Sequence, residues 1–232
     1  MKSTIIAQKN VEKSLKRLYN NMYKKVSACV YNYSKLARDM NGEWSMVLIN
    51  GRDLTVEEVI RVCRNDEEVK LTGEAEKNVQ KARDYIEKKL AEKAVIYGLT
   101  TGFGKFSNVV ISNEETEKLQ RNLIISHTCS MGEAYPREQV RAAMLLRCNA
   151  LARGNSGIRL STLKTLIDML NRGVHPVVPQ KGSLGASGDL APLSHIALGL
   201  IGEGKAEYKG EVITASKAME KAGITPVVLA AK

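Results

Sequence analysis

Gly182-Ser-Leu-Gly-Ala-Ser-Gly-Asp-Leu-Ala-Pro192 sets three glycines three residues apart around the small tripeptide Ala186-Ser187-Gly188. A loop of this kind has two chemical uses. Its backbone N–H groups can close on a phosphate, with a helix starting near Asp189. Alternatively, a tight turn can press the nitrogen of Gly188 onto the carbonyl carbon of Ala186 and close a five-membered ring. The residue types suit the second use. Glycine puts no side chain beside the attacking nitrogen, alanine adds little bulk at the carbonyl, and Ser187 carries a β-hydroxyl that can leave as water. The phosphate-loop spacing G-x-x-x-x-G-K-[ST] is absent from the stretch, and after Gly102-Phe-Gly-Lys105 a phenylalanine, Phe106, stands where Ser or Thr would bind magnesium. Taken alone, the residues leave these uses open beside that of an ordinary glycine-rich turn.

Upstream of this stretch the pattern is helical. Thr55-Val-Glu-Glu58 and Ser112-Asn-Glu-Glu115 are capping boxes, the second opening a helix to about His127. A long helix is expected over about 73–93, followed by the glycine-punctuated loop Tyr97-Gly-Leu-Thr-Thr-Gly-Phe-Gly-Lys105. Pro136 suits a first helical turn, and Val140, Ala143, Met144, Leu146 and Leu151 mark an apolar face to about Ala152. A further helix, about Leu160 to Arg172, stops at Gly173. The short apolar run Met46–Ile49 ends at the turn pair Asn50-Gly51, and downstream one hairpin is evident over Glu207–Ile213 around Lys209-Gly210. The fold class is therefore mainly α with minor strands.

At the amino terminus, Val11, Leu15, Leu18, Met22, Val26, Cys29, Tyr33 and Leu36 recur at helical spacing until Asn41-Gly42. Residues 1–40 hold nine Lys/Arg against Glu12 and Asp39, a net of +7, which leaves +3 of the chain's formal +10 for the other 192 residues. The charge therefore belongs to a basic amphipathic extension, residues 1–43, and the body from 44 to 232 is close to neutral. A surface helix packed on the body is the plainest reading of that extension, with a membrane surface or acidic partner as the alternative. At 44% apolar and 26% charged residues the composition is that of a globular protein, and no apolar run approaches the roughly 20 residues that span a bilayer. Cys29, Cys63, Cys129 and Cys148 form no C-x-x-C pair and no secretory leader precedes them, so free, buried thiols in a cytoplasmic protein are expected. His175 and His195 lack metal-pair spacing and read as structural, as do Asn149 and Arg153; no metal and no nucleotide is expected.

The segment Gly182–His195 resembles the signature of the ammonia-lyase family that contains histidine, phenylalanine and tyrosine ammonia-lyases and related aminomutases. In the same order, Tyr97–Gly104, Leu119-Gln-Arg-Asn-Leu123, Ser126-His127, Arg141–Ala152 and Ser156-Gly-Ile-Arg159 resemble further family segments, so the likeness covers about 46–232. The resemblance implies the fumarase/aspartase-like helical fold, here its amino-terminal part. It implies that Ala186, Ser187 and Gly188 cyclise to 4-methylidene-imidazol-5-one, and that Tyr97 is the base that takes the substrate's β-proton. A tyrosine does this only as phenolate, a form that helix amino termini aimed at the site would favour.

Within the family the position of Ser126-His127 varies, and a Ser-His pair resembles the histidine-acting members, with His127 and Gly104 contacting substrate. Gly104-Lys-Phe-Ser107 and Met131-Gly-Glu133 are also similar to histidine-type segments. Leu99-Thr100 and Thr128-Cys129-Ser130 depart from the usual Val-Asn and Ala-Ala-Gly/Val. The implied reaction is L-histidine to trans-urocanate and ammonia; tyrosine or phenylalanine lyase or aminomutase activity is the alternative. Family members are longer homotetramers in the cytoplasm, and their next motif, which holds an active-site asparagine, does not occur within these 232 residues. The expectation is a domain cut short of the central helical bundle, weakly active or inactive alone, or a half-chain that assembles with a separate carboxy-terminal chain. No nucleic-acid or membrane partner is implied.

Overall fold

The computed structural model describes residues 46–92, 94–101 and 113–229. The chain divides into two compact units, 1–45 and 46–232, and every described element belongs to the second. The expected basic helix, the Ser112 cap and Gly104 with its neighbours lie outside the described residues.

The unit opens with a parallel pair, β1 (Val47–Ile49) beside β2 (Val69–Leu71), joined through helix α1 (Val56–Asn65). Val47 and Ile49 are buried and Leu48 is exposed, the alternation of a strand with one covered face. The turn pair Asn50-Gly51 leads on to α1, the order of run, turn and capping box expected from the sequence. The Gly51 nitrogen donates to Asn149 Oδ1 at 2.8 Å, and a β-carbon there would lie 2.4 Å from Arg153 Cγ. Asn149 and Arg153 thus have the buttressing role expected of them. The Thr55 capping box is formed in both directions, with Glu58 Oε2 accepting from the Thr55 nitrogen at 2.8 Å.

Helix α2 (Gly73–Ala91) follows, capped by Thr72, and then α3 (Asn113–His127) and α4 (Arg137–Ala152). The ends of α2 and of α5 (Leu160–Asn171) fall within two residues of expectation. On α4 the buried face is Val140, Arg141, Met144, Leu145, Cys148, Leu151 and Ala152. Leu146, assigned to that face from sequence, instead points outward, because Arg141, Leu145 and Cys148 set the true stripe. Strand β4 (Val174–Pro176) pairs with β6 (Lys205–Tyr208), and β6 with β7 (Glu211–Thr214), all antiparallel. The expected hairpin is this last pair, with Lys209 and Gly210 both at positive φ as a type I′ turn requires. Strand β3 (Met131–Ala134) pairs with β5 (Pro179–Lys181); α6 (Leu190–Leu200) and α7 (Ala215–Lys221) complete the unit.

Of the described cysteines Cys148 is buried and Cys63 half-buried, and burial pushes the Cys63 thiol up to about 11 and Cys148 higher still. Cys129 departs from expectation: it is exposed, because it lies in the short link after α3 and not on a packed face.

The core is tied together by one buried cation. Arg141, 1% exposed, donates to the carbonyls of Val62 and Leu170 and to His175 Nε2 at 2.9 Å, and lies 3.2 Å from Asp66. Because Nε2 accepts from a guanidinium, Nδ1 carries the proton and donates to Glu207 at 2.7 Å. Burial, reinforced by Arg141, holds His175 below the usual imidazole range despite Glu207. The unfolded chain thus takes up this proton first, and stability falls as pH drops below about 6.5. Thermal melts from pH 7.5 down to 5.5 should show that loss. His175→Gln should make it shallower, with the buried His195 keeping its own share; an equally steep slope in the variant would assign the loss to other groups.

Candidate active site

The glycine-rich stretch is the connection from β5 into α6. Ala186 and Ser187 are exposed on it, and Gly185 has a φ of +72°. The Leu190 nitrogen donates to the Ser187 carbonyl at 3.3 Å, so α6 begins directly after the tripeptide and aims its amino terminus at it. Space around the glycines is tight. A β-carbon on Gly182 would lie 2.3 Å from Ser130 Oγ, and one on Gly188 would lie 2.6 Å from Ser183 Oγ. These residues fit a ring precursor: glycine puts no side chain of its own beside the Gly188 nitrogen, and the exposed Ser187 side chain is open to lose water. Behind the loop, α4, α5 and α6 line a cavity of about 360 Å³ that includes Arg147, Leu166, Asp189 and Leu193.

His127, the last residue of α3, is brought toward this loop by the β3–β5 ladder. Met131 pairs with Lys181, so Ser130 meets Gly182, three residues from His127 and four from Ala186. His127 Nδ1 lies 2.9 Å from the Leu123 carbonyl oxygen and 3.1 Å from Ser126 Oγ. A carbonyl only accepts, so Nδ1 carries the proton. In the neutral ring Nε2 is then a bare acceptor. Ser126 Oγ donates to the same carbonyl at 2.8 Å, so the Ser-His pair acts as one unit that fixes the imidazole.

Tyr97 stands on a different element, the turn that leaves α2, and is 64% exposed. The turn is built from its threonines. Thr100 Oγ1 accepts from the Ile96 nitrogen at 2.9 Å and donates to the Ala94 carbonyl at 3.0 Å, and Thr101 Oγ1 accepts from the Gly98 nitrogen at 3.2 Å. Leu99 is buried. Leu99 and Thr100, which depart from the histidine-type pattern, thus hold the turn's shape. Tyr97 and the tripeptide stand on separate segments, and Gly104 lies outside the described residues.

His175 belongs to the Arg141 network. His195, on α6, has a buried Nε2 without a hydrogen-bond partner, and burial holds its pKa below the usual range. Among the described residues no three His, Cys, Asp or Glu side chains gather as a metal site. Ser130, Ser183 and the Leu123 carbonyl were missed from sequence. Each lay in a stretch the sequence singled out, Ser183 in the glycine repeat, Ser130 in the departing Thr128-Cys129-Ser130 and Leu123 in Leu119-Gln-Arg-Asn-Leu123, but none was given a role.

The family model for aromatic amino acid lyases matches residues 54–232. The chain belongs to the aromatic amino acid lyase family. Among aromatic amino acid lyase relatives, histidine ammonia-lyase of Alkaliphilus oremlandii is 58% identical over 186 residues, 80% of this chain and 37% of the relative. Two solved structures share the fold. One is the ergothioneine-degrading enzyme ergothionase of Treponema denticola, with TM-score 0.77 and 37% identity over 81% of this chain and 37% of that one. The other is phenylalanine aminomutase of Pantoea agglomerans, with TM-score 0.75 and 39% identity over 80% and 36%. The chain thus spans under two-fifths of the length of these lyase-family relatives. The mainly helical fold agrees with that membership.

Proposed function

We propose that this chain is the amino-terminal, cofactor-forming part of an ammonia-lyase that converts L-histidine to trans-urocanate and ammonia. Residues 44–232 belong to that domain, and residues 1–43 are a basic extension ahead of it. The observation that carries the reading is the exposed Ala186-Ser187-Gly188 tripeptide at the head of α6, one strand pairing away from a tautomer-fixed His127. The cyclised tripeptide would supply an electrophile that makes the substrate's amine a better leaving group. Tyr97 takes the β-proton. His127 orients the side chain, and Gly104 is assigned to substrate binding with it.

The tautomer bears on the substrate. A bare Nε2 asks for a donor, which an imidazole N–H or a phenol O–H offers and a phenyl ring does not. This supports histidine first and tyrosine second, over phenylalanine. The ring, if formed, needs no metal or nucleotide. No described helix is long and apolar enough to cross a membrane. We place the protein in the cytoplasm as a homotetramer, or as a half that assembles with a separate carboxy-terminal chain, and expect this length alone to turn over weakly.

The test is urocanate formation followed by its ultraviolet absorption, with the carboxy-terminal part of a relative supplied. His127→Phe should lower kcat/KM for L-histidine by about 10- to 100-fold relative to L-phenylalanine, since a site built to bond a ring N–H discriminates through that bond. An unchanged ratio would remove His127 from the substrate's side-chain subsite.

A further inference from the structure

Two serines outside the tripeptide hold the glycine-rich loop at its ends. At the base, Ser130 occupies the space where Gly182 would carry a side chain, its Oγ buried and without a hydrogen-bond partner. At the far end the Ser183 hydroxyl donates to the carbonyl oxygen of Gly188, closing residues 183–188 on themselves, and it fills the space a β-carbon on Gly188 would need. Gly188 is therefore confined from one side by the residue that bonds it, and the segment is anchored at Gly182 and Gly188 while Ala186 and Ser187 remain exposed between them.

We propose that Ser183 is a positioning residue for ring formation, its hydroxyl holding Gly188 in a closed loop whose base is fixed by Ser130 against Gly182. This rests on the reading of Ala186-Ser187-Gly188 as a cofactor precursor. In the step served, the Gly188 nitrogen bonds to the Ala186 carbonyl carbon and its proton passes to the carbonyl oxygen. That oxygen leaves as water with the proton of the Ser187 nitrogen, giving a C=N bond. The Ser187 hydroxyl and α-hydrogen leave as the second water. No oxidant is needed. Ser183 takes part in none of these bonds. It restricts the loop to conformations in which nitrogen and carbonyl carbon meet, the advantage that held geometry gives over free chain motion.

Ser183 is exposed, so its loss leaves the core intact. The experiment follows intact mass against time for the full chain and for Ser183→Ala, Ser183→Thr and Ser187→Ala, together with melting temperature and hydrogen exchange over residues 182–190. If the unaltered chain loses two waters, Ser183→Ala should do so roughly tenfold more slowly at an unchanged melting temperature, the worth of one hydrogen bond, and Ser183→Thr should restore the rate. An equal rate in Ser183→Ala overturns the proposal. Should the unaltered chain keep its full mass, the cofactor reading fails for this chain and exchange alone decides the holding role. Roughly tenfold faster exchange in Ser183→Ala upholds it, and no change removes it.

Discussion

Ser187→Ala will keep at least one of the two waters that the unaltered chain loses. The second water carries away the hydroxyl that the variant lacks, and without it no exocyclic methylidene can form. The surroundings fit the proposed ring precursor. Ala186 and Ser187 are exposed, and neither Gly182 nor Gly188 has room for a side chain. Intact-mass measurement reads this without substrate or assay. With the methylidene gone, ammonia loses its route to becoming a good leaving group, so Ser187→Ala should also be at least about 1,000-fold slower in any reconstituted lyase assay. A full-mass unaltered chain would mean that this length does not assemble its own electrophile. A Ser187→Ala chain lighter by both waters would place the second dehydration elsewhere.

Arg141→Met is expected to cost about 3–5 kcal/mol of stability, the range for removing one partner from a buried charged network. In a unit of this size that is a fall in Tm of roughly 6–20 °C. The side chain is 1% exposed and joins its own helix to three elements: the Val62 carbonyl on α1 with the carboxylate of Asp66 at that helix's end, the Leu170 carbonyl on α5, and His175 on β4. Methionine fills most of the volume but donates nothing, so two carbonyls and an imidazole nitrogen are left buried and unpaired. Arg147→Met, on the exposed face of the same helix, is the control and should stay within about 0.5 kcal/mol. Equal losses in the two variants would show that the network contributes no more than a surface arginine does.

Much of the helical frame was readable because its signals are local. The Thr55 box, the α2 run, the Gly173 stop and the Lys209-Gly210 turn each depend on residues within one or two turns of chain, and each forms where expected. Three-residue strands carry too little pattern to announce a partner. The β1–β2 and β3–β5 pairs join segments about 20 and 50 residues apart, and nothing in either sequence run names the other. Leu146 and Cys129 went astray for a related reason. Helical periodicity gives a stripe but not its centre, and a link residue's burial depends on what covers it.

For the site, the sequence by itself determined the groups on offer: a tripeptide of the residue types that the proposed cyclisation needs, a Ser-His pair, a tyrosine before glycine, and through their order the likeness to the aromatic amino acid lyases. Those are properties of residue type and spacing, fixed before the chain folds. The local backbone decided which nitrogen of His127 carries the proton and that Ser183 closes on Gly188, partners no more than five residues apart. Only the tertiary structure decided that Ser130 seats Gly182 and that a buried arginine ties the helices together, because each needs groups brought together from distant segments, and no local pattern in the sequence encodes where such a partner will be.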